Sequence, residues 1–334
     1  MILKNLNKNN NIFVIAEIGI NHNGDIDLCM EMIRQAKKSG ANAVKLQSIN
    51  PNHSYMKNTQ SYNIFKNKNF NINQLFKIKK YCQKNKIIFF TTPGDIETLE
   101  FIKPLKLDIY KVSSGLFTNT PLILEILKQK KPIILSTGMA TINEIDTIYK
   151  LVKKSIGNNF ALLKCTASYP CDDIEVNLLG IDSLKKRYNC SIGYSDHTID
   201  DLAVISAINQ GATFIEKHFT IDKEISGGDN SISMMPKEFN NMVTKIRRIE
   251  KMFGSKTLSP TKSEISERKK RYRYLVSLSP LKQGDYINIK NTNMKRIHKF
   301  NKEYIPAIDY LKYNKKKLLR DIPKNTILKS RFFK

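Results

Sequence analysis

The sequence predicts an α/β protein, a (β/α)8 TIM barrel followed by a small β-rich domain. Three observations predict it. Between Asn11 and about Gly254, short β-branched runs alternate with longer stretches of helical period, the signature of parallel strands joined by crossover helices. Eight such units in about 240 residues match the usual size of this barrel, and an open doubly wound sheet is the rival. Beyond Gly254 the texture turns polar and charged, with Pro260 inside, and then shows short alternating strands.

The first strand is expected at 12–18 and the first helix at 28–39, where Leu28, Met32, Ile33 and Ala36 share one face. Gly40 ends that helix. Further strands are expected at 43–47, 87–91, 109–112, 132–136, 160–164, 191–194 and 214–218. The helices between and after them fall at 74–85, 96–102, 121–128, 142–154, 178–188, 201–209 and 237–253. The domains are therefore 1–254 for the barrel, 255–271 for a linker and 272–334 for the β-rich tail. Within that tail, strands at 275–279, 286–289 and 294–297 surround the turn Gln283-Gly284-Asp285.

Composition narrows the function classes. No run of 18 apolar residues is present, which excludes an ordinary spanning helix. The Asn- and Lys-rich start, 1–11, lacks the apolar stretch of a secretory signal, so a cytoplasmic protein with no membrane partner is expected. Five scattered cysteines form no C-x-x-C pair and no disulfide framework. Cys165 has no sequence-adjacent His and is not expected to be a nucleophile. The formal charge of +26 is spread with Asn and Ile over nearly every segment, without a stripe interleaved with aromatics, so nucleic acid is not the expected partner.

Polar residues gather where a barrel of this kind carries its site, at the carboxyl ends of the strands. They are Glu17, Lys45 with Gln47, Thr91 with Thr92, Lys111 with Ser113 and Ser114, Ser136 with Thr137, Thr166 with Tyr169, Ser195 with Asp196 and His197, and Glu216 with His218. Burying so many without a use would be costly in unsatisfied polar groups. Lys45 and Lys111, with the hydroxyls of Thr92, Ser114, Ser136 and Ser195, suit a phosphate and a carboxylate. Lys45, in Ala43-Val44-Lys45-Leu46-Gln47, is flanked by apolar residues, unlike the solvated lysines of this Lys-rich chain. His197 and His218 end neighbouring strands about 4.8 Å apart and can converge on one ion. Glu216 and His218 share strand parity. Two imidazoles with oxygen donors suit Mn2+, Fe2+, Co2+ or Zn2+.

Six segments also resemble a known family. Ala16-Glu17-Ile18-Gly19-Ile20-Asn21-His22-Asn23-Gly24-Asp25, Val44-Lys45-Leu46-Gln47, Ser136-Thr137-Gly138-Met139, Lys164-Cys165-Thr166 with Tyr169-Pro170, Gly193-Tyr194-Ser195-Asp196-His197-Thr198 and Ile215-Glu216-Lys217-His218-Phe219-Thr220 are similar to those of the sialic acid synthases. That family comprises N-acetylneuraminate, legionaminate and pseudaminate synthases, and the tail from Tyr272 resembles its antifreeze-like (SAF) domain. The resemblance implies a transferase that condenses phosphoenolpyruvate with an open-chain N-acetylated hexosamine, cleaving a carbon–oxygen bond and releasing phosphate. The acceptor would be N-acetylmannosamine or a 2,4-diacetamido sugar.

The resemblance also implies roles. Lys45, Gln47, Thr92, Lys111, Ser114, Ser136 and Ser195 would hold the substrates. His197 and His218 would bind the divalent metal, usually Mn2+, which acts as a Lewis acid on the aldehyde. Glu17, Tyr169, Glu216 and Asp229 would handle sugar and protons, with Glu17 and Glu216 as the acid/base candidates. Arg296 would reach a partner subunit's site in a domain-swapped homodimer.

Departures are visible. Ala167 stands where some members carry Asn, and Gly227-Gly228-Asp229 where Gly-Pro-Asp is common. Arg296-Ile297-His298 replaces Arg-Pro-Gly, and Lys324-Asn325 replaces Lys-Gly. Related barrels that make deoxy-octulosonate or deoxy-heptulosonate phosphates generally lack such a tail. A basic nucleic-acid-binding protein is the rival of another class, and it would show salt-sensitive retention on DNA.

Overall fold

The computed structural model describes residues 11–334; the start of the chain, read above as lacking a secretory stretch, lies mostly outside them. The chain divides into two compact units, ending at Gly254 and running Ser255–Lys334, each described by itself.

The first unit alternates strands and helices. The strands are β1 (Phe13–Gly19), β2 (Ala43–Ser48), β3 (Ile88–Pro93), β4 (Tyr110–Val112), β5 (Ile133–Ser136), β6 (Phe160–Cys165), β7 (Ser191–Asp196) and β8 (Phe214–His218). The helices that follow them are α1 (Ile26–Lys38), α2 (Ile72–Lys84), α3 (Ile96–Ile102), α4 (Thr120–Lys128), α5 (Ile142–Ile156), α6 (Leu179–Arg187), α7 (Leu202–Asn209) and α8 (Pro236–Met252). Strand order is β3-β2-β1-β8-β7-β6-β5-β4, and β3 packs against β4 to complete the ring. Every hydrogen-bonded strand pair is parallel. The expected barrel is therefore found, with strand bounds shifted by a residue or two.

Local chemistry explains the helices. Asp25 caps α1, and Asn71/Gln74 and Thr141/Glu144 form capping boxes on α2 and α5. Cys29, Met32, Ile33 and Ala36 are the buried face of α1, with Leu28 only half-buried. Gly40 leaves α1 at φ +91°, and a Cβ there would sit 2.8 Å from Val243 Cγ1. Two short helices, Pro51–Ser54 and Gln60–Phe65, lie in the β2–α2 connection, where none was expected.

Because strand side chains alternate, the ring has two apolar layers. Phe13, Ile15, Ala43, Phe90, Ile109, Ile134, Ala161, Leu163 and Phe214 fill the inside. Residues of opposite parity, such as Val14, Val44, Leu135, Leu162 and Ile215, pack outward against the helices. At Gly193 a Cβ would lie 2.4 Å from Phe214 O and 2.5 Å from Leu163 Cδ2, so only glycine lets the inner layer close there.

In the second unit β9 (Arg273–Ser277) and β10 (Thr292–Arg296) pair antiparallel around a small core of Leu275, Leu281, Ile287, Leu318, Ile322 and Leu328. Two corrections arise here. Residues 286–289 are not a strand, because Asn288 and Asn291 close a local turn (Asn291 Oδ1 accepts from Asn288 N at 2.7 Å). The polar segment 255–271 contains a helix, α9 (Lys262–Arg271), begun by a Thr261/Glu264 capping box.

Candidate active site

The strand period of two builds the site. On each strand the last inward residue of the inner layer is followed, two places on, by one that faces the barrel mouth. Ile15 leads to Glu17, Ala43 to Lys45 and Gln47, Phe90 to Thr92, and Ile109 to Lys111. Likewise Ile134 leads to Ser136, Leu163 to Cys165, Gly193 to Ser195 and His197, and Phe214 to Glu216 and His218. Thr91 and Asp196, grouped above with the strand-end polar residues, have the opposite parity. Thr91 Oγ1 pairs with Ser48 Oγ at 2.9 Å, and Asp196 lies outside the ring.

Four charges form the floor. Lys45 Nζ lies 2.9 Å from Glu17 Oε2 and 3.1 Å from Glu216 Oε1, and Lys111 Nζ lies 3.1 Å from that same Glu216 oxygen. Ser195 Oγ also donates to Glu216 Oε1, at 3.1 Å, and Lys111 Nζ donates to Ser136 Oγ at 2.8 Å. Gln47 Nε2 donates to Glu17 Oε1 at 3.1 Å. All four charged side chains are buried, and two carboxylates balance two ammoniums. Burial alone would raise the Glu216 carboxyl, but the Lys111 and Lys45 charges outweigh it and hold it at about 2. Burial lowers the Lys45 ammonium to about 7, against the pull of Glu216. Glu216 is therefore ionised at neutral pH, while Lys45 titrates there.

Unused hydrogen-bonding capacity points into this floor. Among the described residues, Thr92 Oγ1 and Glu216 Oε2, both buried, have no hydrogen-bond partner. Ser114 Oγ accepts from Gly138 N at 3.1 Å and donates to Cys165 Sγ at 3.4 Å. A Cβ on Gly138 would lie 2.6 Å from Ser114 Oγ, so glycine permits that approach.

The two imidazoles converge as expected, with ring centroids 5.3 Å apart. His197 Nδ1 lies 2.6 Å from Thr166 O, which assigns its hydrogen to Nδ1 and leaves the Nε2 lone pair free. His218 Nδ1 is buried, has no hydrogen-bond partner among the described residues, and lies 3.4 Å from Asp229 Oδ2. Burial holds His218 well below its ordinary pKa, in the neutral form a metal requires. Tyr169, half exposed, sets its ring 4.0 Å from that of His197 and 5.9 Å from that of His218. Two imidazoles and the Asp229 carboxylate are a donor set that fits a divalent ion.

Among the described residues, the one group of three His, Cys, Asp or Glu side chains whose ligand atoms all lie within 4.8 Å of one another is His53, Asp95 and Glu97, close enough to share an ion. There Asp95 caps α3 by accepting from Thr98 N at 2.7 Å, and the amino end of a helix disfavours a cation. Arg296 stands on the second unit at the end of β10, exposed and opposite Arg273 in register.

Asn21, in the segment that follows β1, has no role in the sequence reading. It is buried and ties the Asp229 loop to β1. Its Nδ2 donates to Phe219 O and Ser233 Oγ, both at 3.0 Å, and its Oδ1 accepts from Asp229 N at 2.8 Å. Nothing in the sequence distinguishes this Asn from its neighbours in the Asn21-His22-Asn23 run. His22 stays neutral, since burial lowers its pKa to about 4, and it stacks on Phe70 at 4.3 Å.

The profile of the NeuB family matches residues 32–258. The N,N'-diacetyllegionaminic acid synthase of Campylobacter jejuni is 36% identical over 85% of this chain and 90% of its own length. Human N-acetylneuraminate-9-phosphate synthase is 29% identical over 85% of this chain and 82% of its own. The crystal structure of an N-acetylneuraminic acid synthetase from Leptospira borgpetersenii, in complex with citrate, superposes with a TM-score of 0.74. It is 38% identical and covers 78% of this chain and 92% of its own. The chain belongs to the NeuB family.

Proposed function

We propose that the barrel mouth condenses phosphoenolpyruvate with the aldehyde carbon of an open-chain N-acetylated hexosamine, giving a nonulosonic acid of the N-acetylneuraminate type and free phosphate. One observation carries this reading. Lys45 and Lys111 flank Glu216 on a buried floor, with the Ser136 and Ser195 hydroxyls bonded to it and the His197 and His218 imidazoles beside it.

Lys45, Lys111, Thr92, Ser114, Ser136 and Ser195 bind the phosphate and carboxylate of phosphoenolpyruvate. Their charges and dipoles are already in place, so little rearrangement is needed as charge builds on the departing phosphate. Carbon 3 joins the aldehyde carbon, water adds at carbon 2, and the bond from carbon 2 to the phosphate oxygen breaks. Glu216, held ionised, takes a proton from the water rather than supplying one. Lys45, with a pKa of about 7, is suited to exchange a proton at neutral pH. Glu17, Gln47, Tyr169 and Asp229 bound the space for the sugar. A divalent ion, Mn2+ by resemblance, would be held by His197, His218 and Asp229 and would supply Lewis-acid polarisation of the aldehyde.

Residues 272–334 would serve as the antifreeze-like (SAF) domain, and a domain-swapped homodimer would bring Arg296 to the partner subunit's sugar. A cytoplasmic setting suits both substrates. Among the described residues, no helix is long and apolar enough to cross a membrane.

The test offers purified protein phosphoenolpyruvate, Mn2+ and one aldose at a time, and follows phosphate. Release with N-acetylmannosamine or a 2,4-diacetamido-6-deoxyhexose, abolished by EDTA, is the expected result, and the sugar used fixes the subclass. Release only with arabinose 5-phosphate or erythrose 4-phosphate would move the protein to the octulosonate or heptulosonate phosphate barrels.

A further inference from the structure

We infer that Asp196 and Lys217 are positioning residues, a clamp on the outer side of the ring that sets the spacing of the two imidazoles. The inference rests on the proposed role of His197 and His218 as metal ligands. Both residues stand one place from that pair in sequence, Asp196 before His197 and Lys217 before His218. A period of two therefore turns them to the opposite face of the strands, away from the mouth.

They are register partners across β7 and β8, and each is only 1% exposed. Lys217 Nζ donates to Asp196 Oδ2 at 2.6 Å, to Asp200 O at 2.9 Å and to Thr198 O, which uses all three ammonium protons. The Asp196 carboxylate also accepts from Tyr194 Oη at 2.9 Å, from Thr198 N at 3.1 Å and from Thr198 Oγ1 at 3.0 Å.

This arrangement constrains geometry more than it adds net stability, since a buried ion pair spends most of its attraction on desolvation. What it constrains is specific. The Asp196–Lys217 bond fixes the height of β7 against β8. The two carbonyl contacts fix the loop 198–200 that carries the chain away from His197. A ligand set tolerates about 0.5 Å of error. Groups outside a ligand shell act on metal affinity by orienting the ligands, and here that orientation would pass through the strand backbone.

The test compares wild type, Asp196→Asn and the double variant Asp196→Asn/Lys217→Met. The double variant removes the buried charge from both partners, so neither is left unpaired in the interior. Imidazole 15N spectra of the metal-free proteins are recorded, and Mn2+ binding is followed by the EPR signal of the free ion. The expected result is that the His197 and His218 resonances shift or split in both variants while His22, His53 and His298 hold still. The Mn2+ Kd should rise about 10- to 100-fold. A folded double variant with wild-type His197 and His218 resonances would overturn the clamp, whatever its Mn2+ affinity. Shifted imidazoles together with a wild type that binds no Mn2+ would leave the clamp standing and sink the metal reading instead.

Discussion

Raising the pH through neutrality should weaken phosphoenolpyruvate capture at a single side chain, Lys45. Its ammonium is buried between Glu17 and Glu216, and burial brings its pKa from 10.5 to about 7. The direction follows from the cause: desolvation favours the neutral amine, so charge is lost as pH rises through that value. In the free enzyme about one tenth of Lys45 stays charged at pH 8 and about one hundredth at pH 9. Since kcat/KM reports ionisations of the free enzyme, kcat/KM for phosphoenolpyruvate should fall about tenfold per unit above pH 7. Bound substrate phosphate pulls the ammonium's pKa back up, so kcat at saturation should change less. Initial rates of phosphate release between pH 6 and 9, with metal and acceptor saturating, measure both. Lys45→Arg keeps its charge throughout and should lose the basic limb, at a lower plateau. A flat wild-type profile, or an unchanged limb in Lys45→Arg, would refute the reasoning.

Other consequences follow from the same floor. Glu216→Gln leaves the Lys45 and Lys111 ammoniums facing each other without their shared carboxylate, and should cost about 3–5 kcal/mol of stability at pH 6 by urea unfolding. That penalty should shrink towards pH 9 as Lys45 discharges. In wild type the Glu216 contribution is present above its ordinary value of 4.5 and is lost as pH falls from there towards about 2. His218→Ala should abolish metal-dependent phosphate release, and full activity in that variant would defeat the metal assignment. Gly138→Ala pushes a methyl to within 2.6 Å of Ser114 Oγ and should raise KM for phosphoenolpyruvate, measured from initial rates of phosphate release.

Much of the barrel was legible because each strand is a short β-branched run and each helix carries an apolar stripe. The site was legible for the same reason, since polar residues interrupt those runs at the same place in unit after unit. Lys45 could be separated from the surrounding lysines by its apolar neighbours alone. What escaped was anything that depended on parity or on distant partners. Asp196 reads as a strand-end site residue in sequence, yet its parity sends it outward, beside Lys217. Asn21 acts on Asp229 across 208 positions of chain. The helix Lys262–Arg271 has no apolar stripe to betray it, only the Thr261/Glu264 box that starts it. At 286–289 the apolar residues alternate as in a strand, but local Asn hydrogen bonds satisfy the backbone instead.

The most direct test of the chemistry assigned to the mouth follows one oxygen atom. Phosphoenolpyruvate labelled with 18O in the bridge between carbon 2 and phosphorus is turned over with the accepted sugar, and both products are weighed by mass spectrometry. Label leaving entirely with phosphate, and a solvent oxygen at carbon 2 of the sugar acid, is the predicted result. Label retained in the sugar acid would mean that the phosphorus–oxygen bond breaks instead, and would contradict the account.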